Sequence, residues 1–172
     1  MENRRIPYYL DDEDYLIILS LGRDKISQTK IQKISYILSK LTNYRGNFTA
    51  HEYGNFSETI MEKIEAPINR NIYNVYDNTY SLTPEGLEIY NAITQKLDND
   101  LGHENFVENM ELLDILRKMS SEELEIITYY LFPEITENSK IKERINNLIS
   151  LLKSKSKVKA GREGNNVTLT IE

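Results

Sequence analysis

Two histidines, each followed by a glutamate, are the residues of this chain best suited to acid–base chemistry. His51-Glu52 and His103-Glu104 could each place an imidazole beside a carboxylate, as in a general base. The sequence has no nucleophile motif, phosphate-binding loop or glycine-rich dinucleotide motif to accompany either pair. His51 is expected in a loop, and His103 near the start of a helix. We therefore predict no catalytic residue and no enzymatic activity.

Four consecutive acidic residues, Asp11 to Asp14, are the best candidate for a cation site. Adjacent side chains in the first turn of a helix diverge, and carboxylates there already interact favourably with the helix dipole. The chain contains no cysteine, which excludes disulfides, thiolate zinc sites and cysteine nucleophiles. We predict neither a metal nor another cofactor.

Charged residues are segregated along the 172-residue chain, although its formal net charge is only -6. Basic residues dominate 23–45 and 138–164, whereas acidic residues dominate 98–137. Such segregation is compatible with solvated helix faces or with binding surfaces. No run approaches the roughly 20 apolar residues that span a bilayer. We expect a cytoplasmic protein that does not bind membranes.

Three helices are predicted in the first third of the chain. The first occupies about 12–21 and is apolar nearly all round, so it should be buried. The second begins after Ser27, repeats isoleucine and leucine at helical spacing, and is expected to present a basic outer face. The lysines of that face are Lys30, Lys33 and Lys40. The third is expected to open at 54–57, after a loop or short extended segment over 43–53, and to end before Pro67.

A hairpin followed by a helix is the clearest local pattern. Its two strands are predicted at 71–76 and 79–82, and its turn at Asp77-Asn78. Thr83 is placed to cap a fourth helix, and Pro84 suits the first turn of that helix because its missing N–H would be unpaired there. The helix should end near residue 97.

Three more helices and a strand are predicted after a break at 99–102. The sixth helix begins with a capping box formed by Ser120 and Glu123. The seventh starts near Ser139 and carries a narrow apolar seam, either packed within the chain or forming a homodimer interface. The residues of that seam are Ile141, Ile145, Leu148 and Leu152. Turn-like residues at 161–166 precede a strictly alternating strand at 167–171.

The order of three helices, a two-stranded wing and an exit helix is that of a winged-helix domain, which most often binds DNA and sometimes binds only protein. We therefore predict a mainly α fold with a small β-hairpin. A winged helix-turn-helix domain would occupy 1–98, and a helical extension with a short terminal β element would occupy 99–172.

Four sequence motifs, in the order in which they occur along the chain, resemble those of a known group of proteins. They are Lys30-Ile31-Gln32-Lys33, Tyr53-Gly54-Asn55-Phe56-Ser57, Tyr80-Ser81-Leu82-Thr83-Pro84-Glu85-Gly86 and Pro133-Glu134-Ile135-Thr136-Glu137-Asn138-Ser139-Lys140-Ile141. Together they resemble largely uncharacterised prokaryotic, mainly archaeal, winged-helix proteins. The first three are also loosely similar to MarR-like and PadR-like regulators and to Panacea antitoxin domains. The chain departs from this pattern at Gly54-Asn55-Phe56, where such proteins usually have Gly-Pro-Tyr or Gly-Pro-Phe.

A winged helix would contact double-stranded DNA through its second and third helices and its wing. The candidate contact residues are Lys30, Lys33, Arg45, Asn55, Ser57, Lys63, Arg70, Asn71 and Asn74. Carboxylates at i, i+4 and i+7 of the third helix would instead repel phosphates; they belong to Glu58, Glu62 and Glu65. We predict a DNA-binding transcriptional regulator. The alternative is a winged-helix protein–protein interaction module, antitoxin-like or an adaptor, whose acidic residues face a basic partner.

The two hypotheses require different surfaces. The regulator hypothesis requires Lys30, Lys33, Arg45 and Arg70 on one surface with the wing. The interaction hypothesis requires an exposed apolar patch bordered by acidic residues.

Overall fold

The computed structural model describes residues 9–51, 54–66, 69–132, 158–163 and 166–171. The helices are α1 (Asp12–Leu21), α2 (Gln28–Leu41), α3 (Glu58–Glu65), α4 (Pro84–Leu101), α5 (His103–Lys118) and α6 (Ser121–Leu131). The strands are β1 (Ile26–Ser27), β2 (Thr49–His51), β3 (Gly54–Phe56), β4 (Tyr73–Tyr76), β5 (Thr79–Leu82), β6 (Val158–Glu163) and β7 (Asn166–Ile171). The predicted mainly α fold with a small β element is confirmed.

Side-chain caps fix where the helices begin. The hydroxyl groups of Ser27 and Thr83 accept hydrogen bonds from the first turns of α2 and α4. Ser120 and Glu123 form the predicted capping box at α6, with both hydrogen bonds present. Local sequence therefore determines these helix starts.

The β4–β5 hairpin also forms where the sequence predicts it. Its turn residues Asp77 and Asn78 have φ angles of +49° and +58°, which short polar side chains tolerate. The hairpin joins β1 in a three-stranded antiparallel sheet of order β1-β5-β4. β4 is therefore an edge strand of this sheet.

The centre of the molecule is α2. Every residue from Ile31 to Ser39 is buried, because α1, α5, α6 and β3 pack around the helix. Leu113 and Leu116 of α5 and Ile127 of α6 belong to the same hydrophobic core as the first four helices. The predicted basic outer face of α2 is consequently wrong at Lys33, which is only 9% exposed. Lys40 is exposed, as predicted.

Four boundaries differ from the predictions. β4 begins at Tyr73, two residues later than predicted. Residues 54–56 form β3, which pairs with β2, and α3 starts only after Ser57, whose side chain caps it. α4 continues to Leu101 because Asn99 and Asp100 disfavour a helix only weakly, whereas Gly102, with a φ of +80°, ends it. The predicted turn at 161–166 is mostly strand, since β6 runs to Glu163 and pairs with β7.

The predicted seam of the seventh helix, from Ile141 to Leu152, lies outside the described residues. The division of the chain after residue 98 stays a prediction.

Candidate binding surface on α3 and the β4–β5 hairpin

α3 has one buried side and one charged side. Ile60 and Ile64 are fully buried, because they pack into the core at helical spacing. The opposite side exposes the three predicted carboxylates, which we call the acidic face of α3: Glu58, Glu62 and Glu65. The carboxylates on this face have no cation within ion-pair distance among the described residues.

Lys63, the one lysine of α3, turns away from the acidic face. Its ammonium lies 2.9 Å from the carboxylate of Asp11 and 3.1 Å from that of Asp14. Burial alone would lower the pKa of Lys63, but hydrogen bonds and charge from the two carboxylates outweigh burial and raise it. The pair fastens α3 to the start of α1 and removes the only positive charge of α3 from its outer surface.

Two of the other predicted cations also bind within the protein. The Lys33 ammonium lies 3.7 Å from the carboxylate of Glu125 in α6, and both side chains are buried. The Lys30 ammonium donates a hydrogen bond to the backbone carbonyl of Arg117 at the end of α5. α5 and α6 thus occupy the surface of α2 on which phosphate contacts were predicted.

The other two predicted cations, Arg70 and Arg45, contact the end of α3 and the start of α1. Arg70 is exposed, and its guanidinium donates to the carbonyls of Ile64 and Glu65 at distances of 3.0 and 3.1 Å, which caps the end of α3. Arg45 is exposed and donates its backbone N–H to Asp12 at the start of α1. Because Lys33 is buried, it does not contribute to the surface that the regulator hypothesis requires.

The predicted polar contacts have mixed roles. Ser57 is buried as the cap of α3, and its backbone N–H donates to the side chain of Gln32. Asn55 is half-buried in β3. Asn71 and Asn74 are exposed, and the amide of Asn71 lies 3.4 Å from the carboxylate of Glu85.

The outer side of the hairpin carries a cation that sequence reasoning did not single out. The Lys25 ammonium lies 4.6 Å from the centre of the Tyr76 ring, close enough for a cation–π interaction. Tyr76 is 73% exposed. Strand pairing brings the two side chains together, and this pairing connects residues that are distant in sequence.

Tyr73, on the inner side of the same hairpin, is 1% exposed, and its hydroxyl has no hydrogen-bond partner among the described residues. Burial, followed by the charges of Asp14 and Asp11, raises the pKa of this phenol. Because the pKa of this phenol is higher in the folded state than in the unfolded state, deprotonation favours unfolding. The stability of the protein is therefore unaffected below the unfolded-state pKa of about 10 and falls as the pH rises above it.

Tyr73→Phe should therefore leave the free energy of unfolding near pH 7 unchanged or raise it by up to about 1 kcal/mol. Above about pH 10 the variant should lose less stability than the wild type does. Urea denaturation at both pH values measures this difference, with the exposed Tyr76→Phe as the matched control. A marked loss of stability near pH 7 would show that the Tyr73 hydroxyl has a partner.

Comparison with known proteins identifies no relative: no protein-family model, curated protein or solved structure matches the chain significantly. Within the described ranges, no group of three or more histidine or acidic residues is placed to hold a metal ion. None of the helices described is long and apolar enough to cross a membrane.

Proposed function

We propose that the protein is a winged-helix module that binds a protein partner with a basic surface through the acidic face of α3. The order α1-β1-α2-β2-β3-α3-β4-β5-α4 supports the winged-helix class, with the short β2–β3 hairpin inserted between α2 and α3. The sheet order adds support, because β1, which precedes the second helix, pairs with the returning strand of the hairpin.

The observation that carries the proposal is the inward orientation of Lys63. With its ammonium held by Asp11 and Asp14, the charged side chains on the outer side of α3 are Glu58, Glu62 and Glu65. Carboxylates facing a DNA groove would repel its phosphates, whereas a basic protein surface would be attracted and oriented by them. A third helix of this charge suits recognition of protein better than recognition of DNA.

A titration with labelled random-sequence duplex DNA at low salt tests the first half of the proposal. The wild type should not bind measurably. The triple variant Glu58→Lys, Glu62→Lys, Glu65→Lys should gain affinity that falls with salt at a log–log slope near -3, as expected for about three phosphate contacts. Binding by the wild type that persists with that salt dependence would overturn the proposal.

The second half is tested with the partner itself. Proteins captured from a cell extract by the wild type would be compared with those captured by Glu58→Gln, Glu62→Gln, Glu65→Gln, which is isosteric and lacks the three charges. A partner lost with the variant would be purified and titrated against both proteins. Equal affinity for the two would contradict a role for the acidic face of α3.

A second candidate function, DNA binding in transcriptional regulation, is favoured by the exposed Lys25–Tyr76 pair on the hairpin. A cation and an aromatic ring at this place could contact a phosphate and a sugar without using α3. In that case the wild type would bind duplex DNA, and Lys25→Ala would weaken binding about equally for all sequences.

A further inference from the structure

β4 is an edge strand without the usual protection. Natural edge strands are commonly guarded by lysine, proline or a β-bulge. β4 consists of Tyr73-Asn74-Val75-Tyr76, contains neither a charge nor a proline, and pairs with β5 in an unbroken register. Its last three residues are exposed. The opposite edge of this sheet, β1, is only two residues long and leads directly into α2.

The register shows which backbone groups of β4 point outward. Tyr76 and Thr79 flank the two-residue turn, and in such hairpins the flanking residues form a hydrogen-bonded pair. The Thr83 N–H donates to the Ile72 carbonyl at 2.9 Å, which marks a second such pair. Hydrogen-bonded and non-hydrogen-bonded pairs alternate along an antiparallel ladder. The N–H and C=O of Val75 therefore point away from β5, and Val75 is 40% exposed.

Acidic charge lies beside this hairpin. Tyr80 pairs with Val75 across the β4–β5 ladder. Burial raises the pKa of Tyr80, and the charge of the Glu65 carboxylate raises it further, so this carboxylate lies near the two strands. Arg70 acts on the same phenol in the opposite direction and offsets part of that charge. Lys25, beside Tyr76, is a second cation here. The carboxylates of Asp77 in the turn and of Glu85 beside Asn71 add to that of Glu65, so three carboxylates against two cations leave the region negative. This charge favours a strand with lysine or arginine at alternate positions.

We propose that β4 accepts an extended basic segment of the partner protein as a fourth strand of the sheet. The proposal rests on the proposed function, because it specifies how the partner engages the surface beside the acidic face of α3. Main-chain hydrogen bonds to Val75 would supply affinity, and the carboxylates would select basic side chains. A second copy of this chain fits less well, because its own β4 has no basic residue to place against these carboxylates.

The probe is a short synthetic peptide in which lysine and valine alternate, with a fluorescent label, titrated at low salt. Val75→Pro removes the outward N–H without breaking the bonds to β5, and proline is tolerated at such edge positions. Val75→Thr, which keeps the N–H, is the matched control. A second probe is the same peptide N-methylated at alternate residues, which lacks the backbone N–H donors at those positions. This probe keeps the test valid if Val75→Pro fails to fold.

Strand addition predicts that the wild type and Val75→Thr bind the peptide, and that Val75→Pro and the N-methylated peptide each weaken binding by about tenfold or more. Absence of binding by the wild type overturns the inference. If those two changes have no effect while Glu62→Gln, Glu65→Gln weakens binding, strand addition is wrong and the proposed function stands. If the Gln variants bind like the wild type and Val75→Pro does not, strand addition stands and the proposed acidic face of α3 is wrong.

Discussion

Glu125→Leu is expected to lower the free energy of unfolding by about 3 kcal/mol, at the lower end of the roughly 3–5 kcal/mol typical of breaking a buried ion pair by removing one member. Glu125 is 4% exposed and lies 3.7 Å from the Lys33 ammonium. Leucine has a similar volume, so the loss of the carboxylate, not a cavity, should dominate. Urea denaturation followed by circular dichroism measures the change.

The double variant Lys33→Met, Glu125→Leu is the control that separates charge from packing. The double variant removes the buried ammonium together with the carboxylate that it faces, so it should regain part of the stability lost by the single variant. The single variant Lys33→Met completes the cycle. A double variant whose loss equals the sum of the two single losses would show that Lys33 and Glu125 are not energetically coupled.

Arg117→Met is expected to lower the free energy of unfolding by about 3 kcal/mol. A hydrogen bond to a charged group contributes about 1.5–3 kcal/mol, and the contributions of several bonds to one group do not add fully. The guanidinium is buried and donates to the carbonyls of Ser20 and Leu19 at the end of α1. These carbonyls carry the negative end of the helix dipole and would be left buried without a partner.

The exposed partner of the same guanidinium provides a matched control. Arg117 also bonds the carboxylate of Asp114 at 2.9 Å, but that carboxylate is largely exposed. Asp114→Ala should therefore cost less than about 1 kcal/mol. If Asp114→Ala and Arg117→Met cost the same, the surface ion pair, not the capping of α1, would be the source of the stability.

Local features of the fold could be predicted because they depend on residues close in sequence. The caps at Ser27, Thr83 and Ser120 each use a hydroxyl and an N–H three residues away. The turn at Asp77-Asn78 depends on two short polar side chains that tolerate positive φ. The β2–β3 hairpin could not be predicted, since strands of three residues are too short to show alternation.

The exposed half of the candidate surface was also predictable. Helical spacing places Glu58, Glu62 and Glu65 on one side, and they are exposed. The orientations of the lysines were not predictable, because their partners belong to distant elements: α1 for Lys63 and α6 for Lys33. Periodicity identifies the apolar face of a helix but not what covers its other faces, and α2 is covered on all of them from Ile31 to Ser39.

The burial of α2 from Ile31 to Ser39 has a consequence for hydrogen exchange. Amide protons from Ile31 to Ser39 are shielded by helices on several sides, so they can exchange with solvent only when those helices separate. α3 and the β4–β5 hairpin are exposed along one side, so we expect their amide protons to exchange faster than those of Ile31 to Ser39. On this expectation, the backbone of the surface proposed to receive a partner adjusts more readily than that of α2.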